Sequence, residues 1–384
     1  MAERRIGIVM NGVTGRMGTH QHLARSIAAI RSEGGIPLAS GDRLVPDPIL
    51  LGRDGGRLAS LAAAHGIARW TTDLDAALSD PTDEIFFDAA STALRAGLLT
   101  RAIAAGKHVY CEKPVAATLP EAIDVACRAH RARICHGVVQ DKLFLPGLIK
   151  LRRVIESGFL GRMLSVRGEF GYWVFEGDWQ PAQRPSWNYK SAEGGGIILD
   201  MLCHWRYVLD NLFGTVRAVS CLGATHIPRR VDEAGRAYDA DAEDAAYATF
   251  QLSGGVIAQI NSSWTTRVRR DDLVTFHVDG THGSAVAGLQ KCWTQARVNT
   301  PRAVWNPDIP QPLDFFASWQ EVPDTAPIAN GFRAQWELLL RHVAGDLAAF
   351  PWNLDAGARG VQLAEAAITS WRERKWVDIP DLVI

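Results

Sequence analysis

Along the first 140 residues, short apolar runs alternate with segments whose apolar positions recur every three to four residues. That pattern predicts a parallel sheet with crossover helices. Residues 6–10, 48–51, 69–71, 84–89, 108–111 and 134–139 read as strands, with helical patterns at 19–31, 57–65, 73–78, 97–105 and 120–131 between them. The polar, Gly- and Pro-containing stretch 32–46 reads as a long connection. From residue 141 the pattern changes. A helix over 146–157 precedes polar–apolar alternation at 163–173, and similar strand-like runs follow at 216–224, 245–252, 256–265 and 272–280. Several antiparallel strands in succession predict one open sheet with helices on one face. Helical patterns return at 331–344 and 355–374. The expected architecture is a doubly wound α/β domain over 1–140, then an α+β domain over 141–384 with an open, mostly antiparallel sheet.

A length of 384 residues also favours two cores over one. Charge narrows the partners. With 41 basic against 42 acidic residues and no basic stripe, nothing argues for nucleic acid or a membrane surface. No stretch approaches the roughly 20 apolar residues that span a bilayer. Arg4-Arg5 could mimic the start of an export signal, but the apolar run 6–10 is too short and reads as a strand. The six cysteines (Cys111, Cys127, Cys135, Cys203, Cys221, Cys292) show no C-x-x-C and suit reduced thiols in a cytoplasmic protein. His20-x-His22 lacks further ligands at metal spacing and reads as a surface or capping pair, so no metal is expected. The charged run 267–272 reads as a solvated turn or strand end, and Arg229-Arg230 as too small a cluster for nucleic acid.

Four constellations carry chemistry. Gly12-Val13-Thr14-Gly15-Arg16-Met17-Gly18 follows the first strand and opens a helix, where glycines permit close backbone approach and the helix N-terminus favours a pyrophosphate. This context predicts a Rossmann dinucleotide site. At the end of the second strand Gly52 and Arg53 stand where a ribose-binding acid is common. A guanidinium there favours NADP, whereas Asp54 taking the ribose would favour NAD. Cys111-Glu112-Lys113-Pro114 ends a strand at the ligand-binding edge, so Lys113 could stabilise charge on a substrate oxygen. After Gly194-Gly195-Gly196, Asp200 and His204 lie four apart on one helix face, and histidine suits removal of a hydroxyl proton.

In order and spacing these motifs resemble the Gfo/Idh/MocA family, the glucose–fructose oxidoreductase and inositol dehydrogenase superfamily. The match covers nearly the whole chain and includes AAGKHV at 104–109 and SWRERKWVD at 370–378. The resemblance implies that Lys113 is the catalytic lysine and Asp200 with His204 the acid–base pair. It implies hydride transfer at a carbinol of a sugar, cyclitol or related polyhydroxylated molecule, and homodimers or homotetramers formed through the open sheet. Gly12, Thr14, Gly15, Arg16, Met17, Gly18, Arg53, Ala90, Ser91, Thr92, Glu112 and Lys113 are the expected cofactor contacts. Arg95 stands where many members carry a histidine, and Gln140-Asp141-Lys142 departs from the usual N-x-R run. Gln140, Lys142, Trp173 and Trp187 join Lys113, Asp200 and His204 as expected substrate contacts, with the Trp-rich loop 172–189 extended. Other readings stay open: a redox-neutral sugar enzyme that recycles its nucleotide, and a nucleotide-sensing regulator. Length and the D-x-x-x-H arrangement oppose a dihydrodipicolinate reductase-like enzyme, which Gly15-Arg16-Met17-Gly18 would otherwise suggest.

Overall fold

The computed structural model describes residues 2–267, 272–325 and 330–384. Positions 268–271 of the charged run 267–272 therefore lie outside the described residues. The chain divides into two compact units, Met1–Asp141 with Ala329–Gln362 and Leu382–Ile384, and Lys142–Ile328 with Leu363–Asp381.

The first unit contains strands β1 (Glu3–Asn11), β2 (Ile36–Pro37), β3 (Arg43–Leu51), β4 (Arg69–Thr71), β5 (Asp83–Asp88), β6 (His108–Cys111) and β7 (His136–Val138). They are ordered β2-β3-β1-β5-β6-β7, with β4 beside β3, and every pairing except β2–β3 is parallel. Strand order reverses beside β1, so the crevice for a ligand opens past the carboxyl ends of β1 and β5. Ile6, Ile8, Val9, Met10, Phe86 and Val109 are fully buried, as strands covered on both faces require. The helices are α1 (Gly18–Ala28, wound as π, continuing α-helically over Ala29–Ser32), α2 (Gly55–Ala64), α3 (Leu74–Ser79), α4 (Thr92–Ala104) and α5 (Leu119–Ala132).

β3 starts earlier than its prolines suggest. Pro46 and Pro48 pair with Ile6 and Ile8 of β1, while β2 meets only Arg43 and Leu44, and β4 only residues 49–51. A proline's missing N–H costs least where no third strand lies opposite. The expected long connection 32–46 thus holds β2 and the start of β3. At the start of β7, His136 is buried and its Nδ1 accepts the backbone N–H of Leu354 at 3.1 Å.

The second unit opens with α6 (Pro146–Glu156) and β8 (Met163–Gly171), then α7 (Ile197–Leu212). There follow β9 (Val216–Ala224), the hairpin β10 (Arg229–Val231) and β11 (Ala237–Asp239), β12 (Ala245–Leu252), β13 (Ile257–Ser263), β14 (Val274–Gly280), β15 (Gly283–Ala287), β16 (Cys292–Ala296) and β17 (Gln320–Glu321). Helix α8 (Gly331–Val343) belongs to the first unit, and α9 (Leu354–Glu373) passes into the second, which ends in β18 (Val377–Asp378). The large sheet runs β17-β16-β15-β14-β8-β13-β12-β9-β18, and β13–β8 is its parallel pair among antiparallel ones. Helix α7 packs on β9, β12 and β13. Along β12 buried Ala248, Phe250 and Leu252 alternate with exposed Tyr247 and Gln251, leaving an open face. Among the described residues no helix is long and apolar enough to cross a membrane.

Candidate active site

In the first unit the glycine loop is shaped by contact with β5. Gly12 has φ +77°, and a Cβ there would lie 2.5 Å from backbone atoms of Ala89 and Ala90. A Cβ on Gly18 would lie 2.4 Å from the Gly12 carbonyl oxygen, whereas one on Gly15 would meet only that oxygen, at 3.4 Å. Gly12 therefore lets the loop close on the residues that follow β5, Gly18 lets α1 start close on the loop, and Gly15 meets only an ordinary contact. Met17 caps α1 with no side-chain hydrogen bond, and the first turn holds no acid. Such a helix start suits a bound anion. These features fit the diphosphate of a dinucleotide. Ala90, Ser91 and Thr92 form the turn into α4, next to the loop, and Ser91 also caps without a side-chain bond. Thr14, Arg16 and Met17 complete the loop. At the end of β3 Arg53 is exposed, while Asp54 caps α2 by accepting the N–H of Arg57 at 3.0 Å. Arg57, unforeseen in the sequence, returns its guanidinium to the Thr14 carbonyl at 3.1 Å.

The segment carrying Lys113 is braced on both sides. Before it, buried Glu112 bonds His22 through Oε1 at 2.8 Å and accepts the Lys113 N–H on Oε2 at 3.2 Å. Burial pushes the Glu112 carboxyl up, but the His22 hydrogen bond, with the charge of Lys113, outweighs it and holds it below the ordinary value. The surface role expected of His22 is therefore corrected: helix α1 turns it wholly inward, while His20 is exposed. After Lys113, a buried Arg95 donates to the Pro114 carbonyl, to Asp88 Oδ2 at 2.9 Å and to the Ala90 carbonyl at 2.5 Å. Asp88 also accepts from Asn11 at 2.8 Å. Arg95 thus ties the strand ends together. Gln140, just past β7, donates its N–H to Gln335 at 2.7 Å, and its side-chain Oε1 is buried without a hydrogen-bond partner among the described residues.

In the second unit the three glycines seat α7. A Cβ on Gly195 would lie 2.5 Å from the Asn188 carbonyl oxygen, and one on Gly196 2.4 Å from the Glu243 carboxylate. Glu243 in turn accepts the Ile198 N–H at 2.9 Å, and burial raises its pKa. This start places Asp200 and His204 a turn apart on α7. His204 is buried, with Nδ1 2.6 Å from the Tyr207 hydroxyl, which accepts the Lys142 N–H at 3.1 Å. Asp200 Oδ2 lies 2.8 Å from Arg184 Nη1, and the guanidinium lies 4.5 Å from the Trp264 ring centroid. Loop 172–189 that carries Arg184 is anchored by Arg230, which stacks at 4.1 Å on Tyr189 and donates to the Phe175 carbonyl at 2.9 Å and to Asp244 at 2.6 Å. So Arg229-Arg230, too small a cluster for nucleic acid, contains one fully buried cation. Trp173 and Trp187 remain about two-fifths exposed. Tyr207 and Arg184 were missed. Tyr207 had a faint signal, three residues beyond His204 on one helix, whereas nothing in sequence links Arg184 to Asp200. Among the described residues no cluster could hold a metal ion.

Residues 6–138 match the oxidoreductase family's NAD-binding Rossmann fold, and 148–286 match the GFO/IDH/MocA C-terminal domain. The chain belongs to the Gfo/Idh/MocA family. It is accordingly an oxidoreductase with a dinucleotide-binding Rossmann unit. It is 55% identical to a D-xylose dehydrogenase of Paenarthrobacter nicotinovorans over 99% of this chain and 98% of that protein. It is 28% identical to a levoglucosan dehydrogenase of Pseudarthrobacter phenanthrenivorans over 61% of this chain and 62% of that one. Among solved structures, levoglucosan dehydrogenase in complex with NADH and levoglucosan shares the fold, with a TM-score of 0.80 over 98% of this chain and 100% of that one at 22% identity.

Proposed function

We propose that the protein is an aldose dehydrogenase that oxidises a ring carbinol of a pentopyranose such as D-xylose, with NADP as the hydride acceptor. The substrate class rests on the 55% identity to a D-xylose dehydrogenase along nearly the entire chain. The observation that carries the chemistry is a buried His204 whose Nδ1 is held by Tyr207. With Nδ1–H donated to the Tyr207 oxygen, Nε2 keeps its lone pair for the substrate hydroxyl proton. The imidazolium then formed retains the same bond. Lys113 hydrogen-bonds the substrate oxygen and offsets charge developing on it. Asp200, paired with Arg184, holds a neighbouring hydroxyl, and the unpartnered Gln140 oxygen accepts from another. Trp173 and Trp187 offer ring faces to the sugar. When bound, the dinucleotide takes up the hydride at its nicotinamide.

Two guanidinium groups, Arg53 and Arg57, support the choice of NADP, because the carboxylate of Asp54 is occupied in capping α2. Titration with NADPH and NADH, with and without Arg53→Ala, tests it. About a tenfold selective loss of NADPH affinity is expected. Equal NADH affinity, unchanged in the variant, assigns NAD instead, in line with the NADH held by solved relatives. A sugar screen with Lys113→Ala and His204→Ala tests the chemistry, with kcat expected to fall on the order of a hundredfold or more in each. Copurified nucleotide that recycles without net NADPH would favour the redox-neutral reading. The open sheet face is the surface we assign to homo-oligomers, testable by light scattering, and six free cysteines suit a reducing cytoplasm.

A further inference from the structure

His22 takes no part in the reaction described above, yet its side chain is wholly buried one contact from the Lys113 segment. It lies in the π-wound part of α1 between the rings of Phe87 and Phe332, with centroids 4.4 and 5.1 Å away. π-Helical turns are rare and recur at functional sites. Trp336 of α8 directs its indole N–H at His22 Nδ1 at 3.0 Å. An indole N–H only donates, so Nδ1 carries no hydrogen. The single hydrogen of a neutral imidazole is then on Nε2, which donates to Glu112 Oε1 at 2.8 Å. The other oxygen of Glu112 accepts the Lys113 N–H. The hydrogen bonds from Trp336 and His22 run in one direction and end on the same carboxylate that holds the Lys113 backbone.

We propose that His22 and Trp336 are positioning residues for Lys113, acting through Glu112. This rests on Lys113 being the reacting lysine. A buried carboxylate needs its partners. Deprived of the His22 N–H, Glu112 draws on the adjacent Lys113 ammonium, whose charge already acts on it alongside the opposing charge of Asp141. The ammonium is then diverted from the substrate oxygen. Turnover falls while binding of sugar and dinucleotide is spared.

The test combines kinetics with imidazole ¹⁵N spectra of the resting protein, the His22 signals being assigned by their loss in His22→Gln. Expected are a neutral Nε2–H imidazole in the parent protein and a kcat for His22→Leu lower by on the order of ten- to a hundredfold. KM and dinucleotide affinity should stay within about twofold, and His22→Gln, which can still donate to Glu112, should recover most of kcat. If His22→Leu does not fold, Trp336→Phe carries the same test, since it keeps a ring and removes the donor. An Nδ1–H or doubly protonated His22 overturns the proposal, as does a fully active His22→Leu beside an inactive Lys113→Ala. Full activity in Lys113→Ala overturns the lysine's role and this proposal with it.

Discussion

The two units hold their candidate residues in different ways. In the Rossmann unit the backbone does most of the holding: Gly12 lets the loop close on the residues that follow β5, Gly18 lets α1 start close on the loop, and Arg95 and Glu112 grip main-chain atoms around Lys113. In the second unit side chains hold side chains: Arg184 lies on Trp264 and meets Asp200, Arg230 lies on Tyr189 and meets Asp244, and Tyr207 meets His204. A dinucleotide presents the same phosphates to every enzyme, so a rigid backbone cradle serves it. Sugars differ by single hydroxyls. Side-chain tethers can be exchanged for a new substrate without rebuilding the sheet beneath them.

The largest effect should come from the second unit's deepest tether. Asp244 is wholly buried and accepts from Arg230, His226 N–H and Ile227 N–H. Asp244→Asn leaves Arg230 a buried cation without its counter-charge and should cost about 3 to 5 kcal/mol in urea unfolding. Little change there would break the comparison, because loop 172–189 would be held by something else. Gly12→Ala forces a side chain into a left-handed backbone and against β5. It should cost about 3 kcal/mol and abolish dinucleotide binding by calorimetry.

The first unit also has an acid limit of its own. Burial, reinforced by the charge of His130, lowers the His136 pKa to about 4, and protonation at Nδ1 would break its bond to Leu354. Since the folded pKa lies below the unfolded one, His136 supports folding fully above about pH 6.5, and that support is lost as pH falls toward about 4. The loss should approach about 2 to 3 kcal/mol in thermal melts, and be smaller in His136→Gln. Arg184→Ala should have the mildest effect, raising the sugar KM about tenfold (about 1.4 kcal/mol) with dinucleotide affinity unchanged. An altered dinucleotide affinity would blur the distinction between the units.

What the sequence made legible was what depends on neighbours in the chain. The glycine loop, the E-K-P strand end and the one-turn spacing of Asp200 and His204 are local facts, and β6, β9 and β12 were bounded residue for residue. Contacts distant in sequence stayed hidden. His22 meets Glu112 ninety residues on and Trp336 at a separation of 314, so no local pattern marked it as buried. Pro46 and Pro48 misled for the opposite reason, since only the register of β2 and β4 shows why a strand tolerates them there. The two-residue strands β2, β17 and β18 carry no readable period, and β10, β11, β15 and β16 also went unread.

Residues 377–384 bear on how the protein is made. β18 covers the outer edge of β9, Ile379 donates its N–H to Arg217 at 2.7 Å, and Leu382 and Ile384 pack against the first unit's core. The indole that reaches His22 is likewise encoded more than three hundred codons after it. Neither unit can complete itself before residues 336–384 have been made. The β9 edge, a template for unwanted pairing, stays open until β18 pairs with it. A chain cut after residue 372, without β18, should therefore be lost to aggregation rather than survive as a slightly weaker enzyme.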